Sequence, residues 1–106
     1  MKNYSIKEIL LNIEGMPDGW LYLPNAEWTL ETVGAFSLDS KDFPPGSTEH
    51  LPDQVLNDGW VEVLEKSMIE DIIFDVDRQL ADPDVNDYFK AFEFFYNNDA
   101  FIIFEN

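Results

Sequence analysis

The stretch Trp60-Val61-Glu62-Val63-Leu64-Glu65-Lys66-Ser67-Met68-Ile69-Glu70-Asp71-Ile72-Ile73-Phe74-Asp75-Val76-Asp77-Arg78-Gln79-Leu80 changes its apolar period within a few residues. Residues 60–65 alternate imperfectly with the two-residue period of a strand, placing Trp60, Glu62 and Leu64 on one face. From Ser67 the period becomes helical: Ile69, Ile72, Ile73, Val76 and Leu80 form one apolar stripe through about residue 81. Ser67-Met68-Ile69-Glu70 has the spacing of a capping box, so the helix is expected to open there. A strand running directly into an amphipathic helix points to a mixed architecture.

Downstream, Asp82 followed by Pro83 is expected to start another helix, with Pro83 at the first helical position. Val85, Tyr88, Phe89, Phe92, Phe95 and Tyr96 form its buried face, and Asn97-Asn98 stops it. Ala100 to Glu105 reads as a closing strand. Upstream, Ser5-Ile6-Lys7-Glu8 is a capping box, and Ile6, Ile9, Leu10 and Ile13 give an amphipathic helix over 5–13, ended by Gly15 and Pro17. Trp20 to Leu23 and Thr32 to Leu38 read as paired strands. Between 39 and 57 the acids, Pro44, Pro45, Gly46 and Pro52 read as a long acidic loop. The expected fold is a single α+β domain over 1–106, an antiparallel sheet of about four strands with about three helices, in the order α-β-β-β-α-α-β.

The chain has 106 residues, of which 45% are apolar and 15% aromatic, enough burial to offset chain entropy despite a formal net charge of −16. The absence of cysteine excludes disulfides, thiolate catalysis and Cys-ligated metal centres. Lys7, Glu8 and Asn12 interrupt any apolar leader at the start, and no apolar run approaches the roughly 20 residues of a membrane span, so a cytoplasmic location and no membrane contact are expected.

Charge carries more information. Residues 1–14 are neutral overall, whereas residues 15–66 and 67–106 each carry −8. The acidity therefore belongs to the folded body, not to a tail. Solubility of a small domain is served by a net charge of about 2–8 in magnitude, so −16 suggests a use for the field. Nucleic-acid backbones are poor partners for such a surface and basic proteins good ones.

Helical angles locate a surface. Phe74 falls roughly 140° from Ile69, off the apolar stripe, among Glu70, Asp71, Asp77 and Arg78. Phe94 falls roughly 180° from Val85, between Lys90 and Asp87. An exposed aromatic ringed by acids has the make-up of a binding hot spot. Asp71 and Asp75 share this helix side at i, i+4. Glu70, Asp71, Phe74, Asp75, Asp77, Asp87 and Phe94 are accordingly the expected partner-binding residues.

Chemistry is not indicated. Asp82-x-Asp84-x-Asn86 with Glu93 imitates a calcium loop, but Asp87 stands where the turn needs Gly and a helix is expected to start at Pro83. His50, the one histidine, lies in the loop without a nucleophile motif and is expected to be solvent-exposed. Glycines 15, 19, 34, 46 and 59 form no phosphate cradle. Neither a catalytic residue nor a cofactor nor a metal is expected. Trp20, Tyr22, Trp28 and Trp60 are read as one aromatic wall of the core.

At Asp18-Gly19-Trp20-Leu21-Tyr22-Leu23-Pro24 with Trp28, and at Phe95-Tyr96-Asn97-Asn98-Asp99-Ala100-Phe101-Ile102, the chain resembles small acidic bacterial proteins encoded beside polymorphic toxins, the contact-dependent growth inhibition immunity proteins. The resemblance implies a cytoplasmic antidote that binds the C-terminal toxin domain of a delivered effector, commonly a nuclease. These motifs are structural and carry no functional position across. Two other readings stand beside it: an acidic adaptor for another basic protein, and a small hydrolase or carbohydrate-binding module using Trp20, Trp28 and paired carboxylates such as Asp71 and Asp75. The last requires a concave pocket holding a carboxyl of raised pKa beside a tryptophan.

Overall fold

In the computed structural model, residues 2–38 and 42–105 are described. They form an α+β fold with one antiparallel sheet of four strands in the order β1-β3-β2-β4. The elements run β1 (Tyr4–Ser5), α1 (Ile6–Leu11), a 3-10 turn (Ile13–Gly15), β2 (Trp20–Leu23), β3 (Val33–Phe36), α2 (Asp53–Asn57), β4 (Val61–Glu65), α3 (Lys66–Gln79) and α4 (Val85–Asn98). The class and strand number match the expectation. The order differs at both ends and in the middle, where α2 intervenes between β3 and β4, so the described residues hold four α-helices against about three expected.

The fourth strand is Tyr4–Ser5, paired with Gly34 and Val33 of β3, and residues 100–105 form no strand. The reason lies on α3. Asp99 adopts a left-handed conformation, φ 52° and ψ 40°, and ends α4, and the segment after it lies against the helices with Ile102 buried among Ile72, Val76, Ala91 and Phe95. The Gln79 side chain donates to the Ile102 carbonyl at 2.8 Å and accepts from the Phe104 N–H at 2.9 Å. One side-chain amide thus supplies the hydrogen bonds that a neighbouring strand would have offered.

Helix boundaries shift for local reasons. The first capping box forms, with Ser5 Oγ accepting from the Glu8 N–H at 3.1 Å. The helix stops at Leu11, not 13: Asn12 closes it, donating both its backbone N–H and its side-chain amide to the Glu8 carbonyl at 3.0 and 3.1 Å, and the chain then tightens into the 3-10 turn. The second expected capping box does not form. The Lys66 N–H is hydrogen-bonded to Gly19 O across the sheet at 2.9 Å, so β4 passes straight into α3 one residue before Ser67, whose hydroxyl donates to Glu65 at 3.2 Å instead. The third helix starts after Pro83: Asp84 caps it and Asp87 completes the box at 3.0 and 2.9 Å. The expected loop 39–57 contains α2, and Leu38 N–H is tied to His50 O at 2.6 Å; residues 39–41 lie outside the described residues.

A bulge explains the imperfect alternation of β4. Leu21 faces Leu64 while Tyr22 faces Glu62, so one residue is extra on β4 and the register slips between them. Leu64 therefore packs on the core while Glu62 turns to the other side and accepts from the Tyr22 hydroxyl at 3.1 Å. They do not share a face, and Trp60 precedes the strand, with its N–H on Gln54 O at 3.3 Å. The main core joins Ile6, Ile9 and Leu10 of α1 to Leu21, Leu23, Phe36, Ile69 and Phe92. Gly34 permits this close approach: a Cβ there would stand 2.5 Å from Leu23 Cδ2.

Candidate partner-binding groove

Helix α3 turns Ile69, Ile72 and Val76 inward and leaves Phe74 outside with 71% of its surface exposed. The 3-10 turn then places Ile13 and Glu14 alongside α3. Together Ile13, Glu14, Glu70, Asp71, Ile73, Phe74 and Asp77 line a cleft of about 310 Å³. It continues into a second cleft of about 460 Å³ whose additional walls include Leu10, Leu11 and Tyr88. Ile13, Glu14, Ile73 and Asp77 belong to both, so the two form one groove between the first helical segment and α3. Its floor is apolar and its rims are acidic.

Two nearby cations are tied down within the fold. Arg78 is paired with Asp75, and Lys66 is held by the Glu14 carbonyl at 3.2 Å and by Asp18 at 3.5 Å. Tyr88 reaches over from α4 and donates its hydroxyl to Asp77. Burial, the hydrogen bond to Asp77 and the charges of Asp77 and Asp87 push the Tyr88 phenol up to about 12. The phenol stays protonated and fixes the orientation of one rim carboxylate.

Four of the seven expected partner-binding residues, Glu70, Asp71, Phe74 and Asp77, are brought together here. Three are not. Asp75 is only 8% exposed, accepts from Arg78 and, at 2.7 Å, from Gln79, and so belongs to the clamp that holds the C-terminal segment. Position 75 lies next to the Val76 stripe, so the shared side with Asp71 was a matter of angle, not of surroundings. Asp87 spends its carboxylate on the N-terminus of α4. Phe94 is 36% exposed but stands about 120° round α4 and about 9 Å along it from Tyr88, the residue by which that helix meets the groove. Missed in the sequence were Leu11, Ile13, Glu14, Ile73 and Tyr88. Leu11 had the same signal as Phe74, an apolar residue off its helix's stripe, and it is 52% exposed.

The tryptophans do not form one wall. Trp20 and Tyr22 line a cleft of about 390 Å³ with Asp18, His50, Glu62 and Glu65. Burial, reinforced by Glu62, raises the Tyr22 phenol to about 12. His50 is half-buried beside Phe43, not simply solvent-exposed. Its Nδ1 has no hydrogen-bond partner among the described residues. Trp28 packs on Phe92 and Tyr96 at ring distances of 6.0 and 5.0 Å and borders a smaller cleft of about 200 Å³ with Glu27 and Glu93. Burial and then the charge of Glu27 raise the Glu93 carboxyl. Among the described residues no group of three or more His, Cys, Asp or Glu side chains could hold a metal. No helix there is long and apolar enough to cross a membrane.

These features define a small α+β protein with an apolar-floored, acid-rimmed groove. Residues 3–104 match the family described as a domain of unknown function (DUF7716), and the chain belongs to that family. No curated protein and no solved structure matches it.

Proposed function

We propose that this chain is a non-catalytic, cytoplasmic immunity protein that binds and neutralises a basic toxin domain of a contact-dependent growth inhibition system, a nuclease in the commonest case. The observation that carries the reading is the groove: an exposed Phe74 flanked by Glu14, Glu70, Asp71 and Asp77, with Arg78 paired to Asp75 and Lys66 held by Asp18 and the Glu14 carbonyl. A nuclease cleft is basic because it holds phosphates, and an acidic surface competes for it or clamps beside it. Apolar anchors at the centre supply slow dissociation, while the surrounding acids supply fast, salt-dependent association.

The test is co-expression with the C-terminal domain of the large protein encoded immediately upstream, followed by affinity purification at low and high salt and a growth-rescue assay. Stable co-purification with rescue is the expected result. Failure of both binding and rescue would overturn the immunity reading in favour of an acidic adaptor for a different basic protein.

A second reading is favoured by one observation. The raised Glu93 carboxyl, beside Glu27, Trp28 and Tyr96, has the composition of a small hydrolase or carbohydrate-binding site. Hydrolysis of, or binding to, a panel of oligosaccharides that is lost in Glu93→Gln would support it, and an inert protein would remove it.

A further inference from the structure

Resting on the partner reading above, we infer that the groove between α1, the 3-10 turn and α3 receives an amphipathic basic helix of the partner. Three features carry this. Leu10 and Ile13 close the floor from the core side, and the apolar surface the groove offers comes from the half-buried Ile73 and from the exposed Leu11 and Phe74 at its edges. Glu14, Glu70, Asp71 and Asp77 stand along both rims, which complements Lys and Arg flanking an apolar stripe. The walls are helical segments whose backbone groups are largely spent on their own hydrogen bonds. An extended peptide lying here would find no ladder to join, whereas a helix satisfies its own backbone.

The dimensions set the repeat. Glu70 to Asp77 spans about two turns of α3, or roughly 10 Å. The occupant therefore offers apolar anchors at i, i+3 or i+4, and i+7, with cations on either side. Phe74 is the side chain it covers most, and Tyr88, by holding Asp77, sets the position of one cationic partner.

The probe is a synthetic peptide of about 18 residues, long enough to form more than a marginal helix, with Leu at helical spacing and Lys elsewhere. Three controls accompany it: a scramble of the same composition, a version interrupted by proline, and an acidic version with Glu for Lys. Binding to the full chain is followed by amide chemical shifts and by anisotropy of the labelled peptide. The helical peptide is expected to bind at least about tenfold more tightly than the scramble, to perturb Leu11, Ile13, Glu14, Ile73 and Asp77, and to be weakened about tenfold by Phe74→Ala and by Leu11→Ser. The Asp71→Asn/Asp77→Asn double variant should lower the salt dependence. Equal binding of scramble and helix, perturbations confined to β4 or to the Trp20 cleft, or no binding would each overturn the helix assignment. Those outcomes are independent of co-purification with the natural toxin domain, whose failure would instead strike the partner reading itself.

Discussion

Helix α3 carries two acidic neighbourhoods that differ in nearly everything but residue type. On its outer arc Glu70, Asp71 and Asp77 stand around a bare aromatic ring at the groove. Four residues from Asp71, Asp75 is closed in by Arg78 and Gln79, and Gln79 in turn grips the backbone on either side of Ile103. The first set is open to a partner; the second ties the C-terminal segment to the helical layer. A carboxylate's role is set by how many donors surround it and how much water it has lost.

The largest separation is expected from adjacent apolar positions. Ile72→Ala removes a side chain 1% exposed between α3, α4 and the C-terminal segment, and should cost about 2–5 kcal/mol. Phe74→Ala, two residues on, should change stability by no more than about 0.5 kcal/mol while weakening partner binding. Urea denaturation of both variants checks the contrast, and a large loss from Phe74→Ala would mean that the ring is structural.

A smaller separation is expected between the carboxylates. Asp75→Ala leaves the donors of Arg78 and Gln79 without their acceptor and should cost about 1–3 kcal/mol, with faster amide exchange at Phe104. Asp71→Ala should be nearly neutral in stability and visible only in association rate and its salt dependence. If the two variants were equally stable, the clamp would hold nothing.

The smallest effect is a pH dependence away from α3. Burial and Glu27 raise the Glu93 carboxyl in the folded state, so the native protein binds this proton more tightly than the unfolded chain does. Stability from this group therefore falls as pH rises from its ordinary value of 4.5 through the raised one. Glu93→Gln should raise the melting temperature slightly at neutral pH and make no difference below that window. A variant that is destabilised at neutral pH would show that the ionised carboxylate has a favourable partner in the fold.

Much of the fold was legible from residue order. The period change across residues 60–80 sets a strand beside a helix, and Ile69, Ile72 and Val76 were assigned to the buried side of α3 correctly. Phe74 was legible as an exposed ring because angle alone puts it opposite that stripe. The closing strand was not, since Phe101-Ile102-Ile103-Phe104 has strand-like composition whether its hydrogen bonds come from a sheet or from Gln79. Nor was the groove, because its second wall comes from residues 10–15, more than fifty positions before α3.

The sequence by itself determined the class, the acidity, the amphipathic faces and one exposed aromatic, because these follow from local periodicity and composition. Only the tertiary structure decided which strand sits at the edge, which of the acids are spent within the fold, and which remain around an apolar groove. Those outcomes depend on hydrogen-bond partners and desolvation contributed by residues remote in the chain, and no local pattern encodes them.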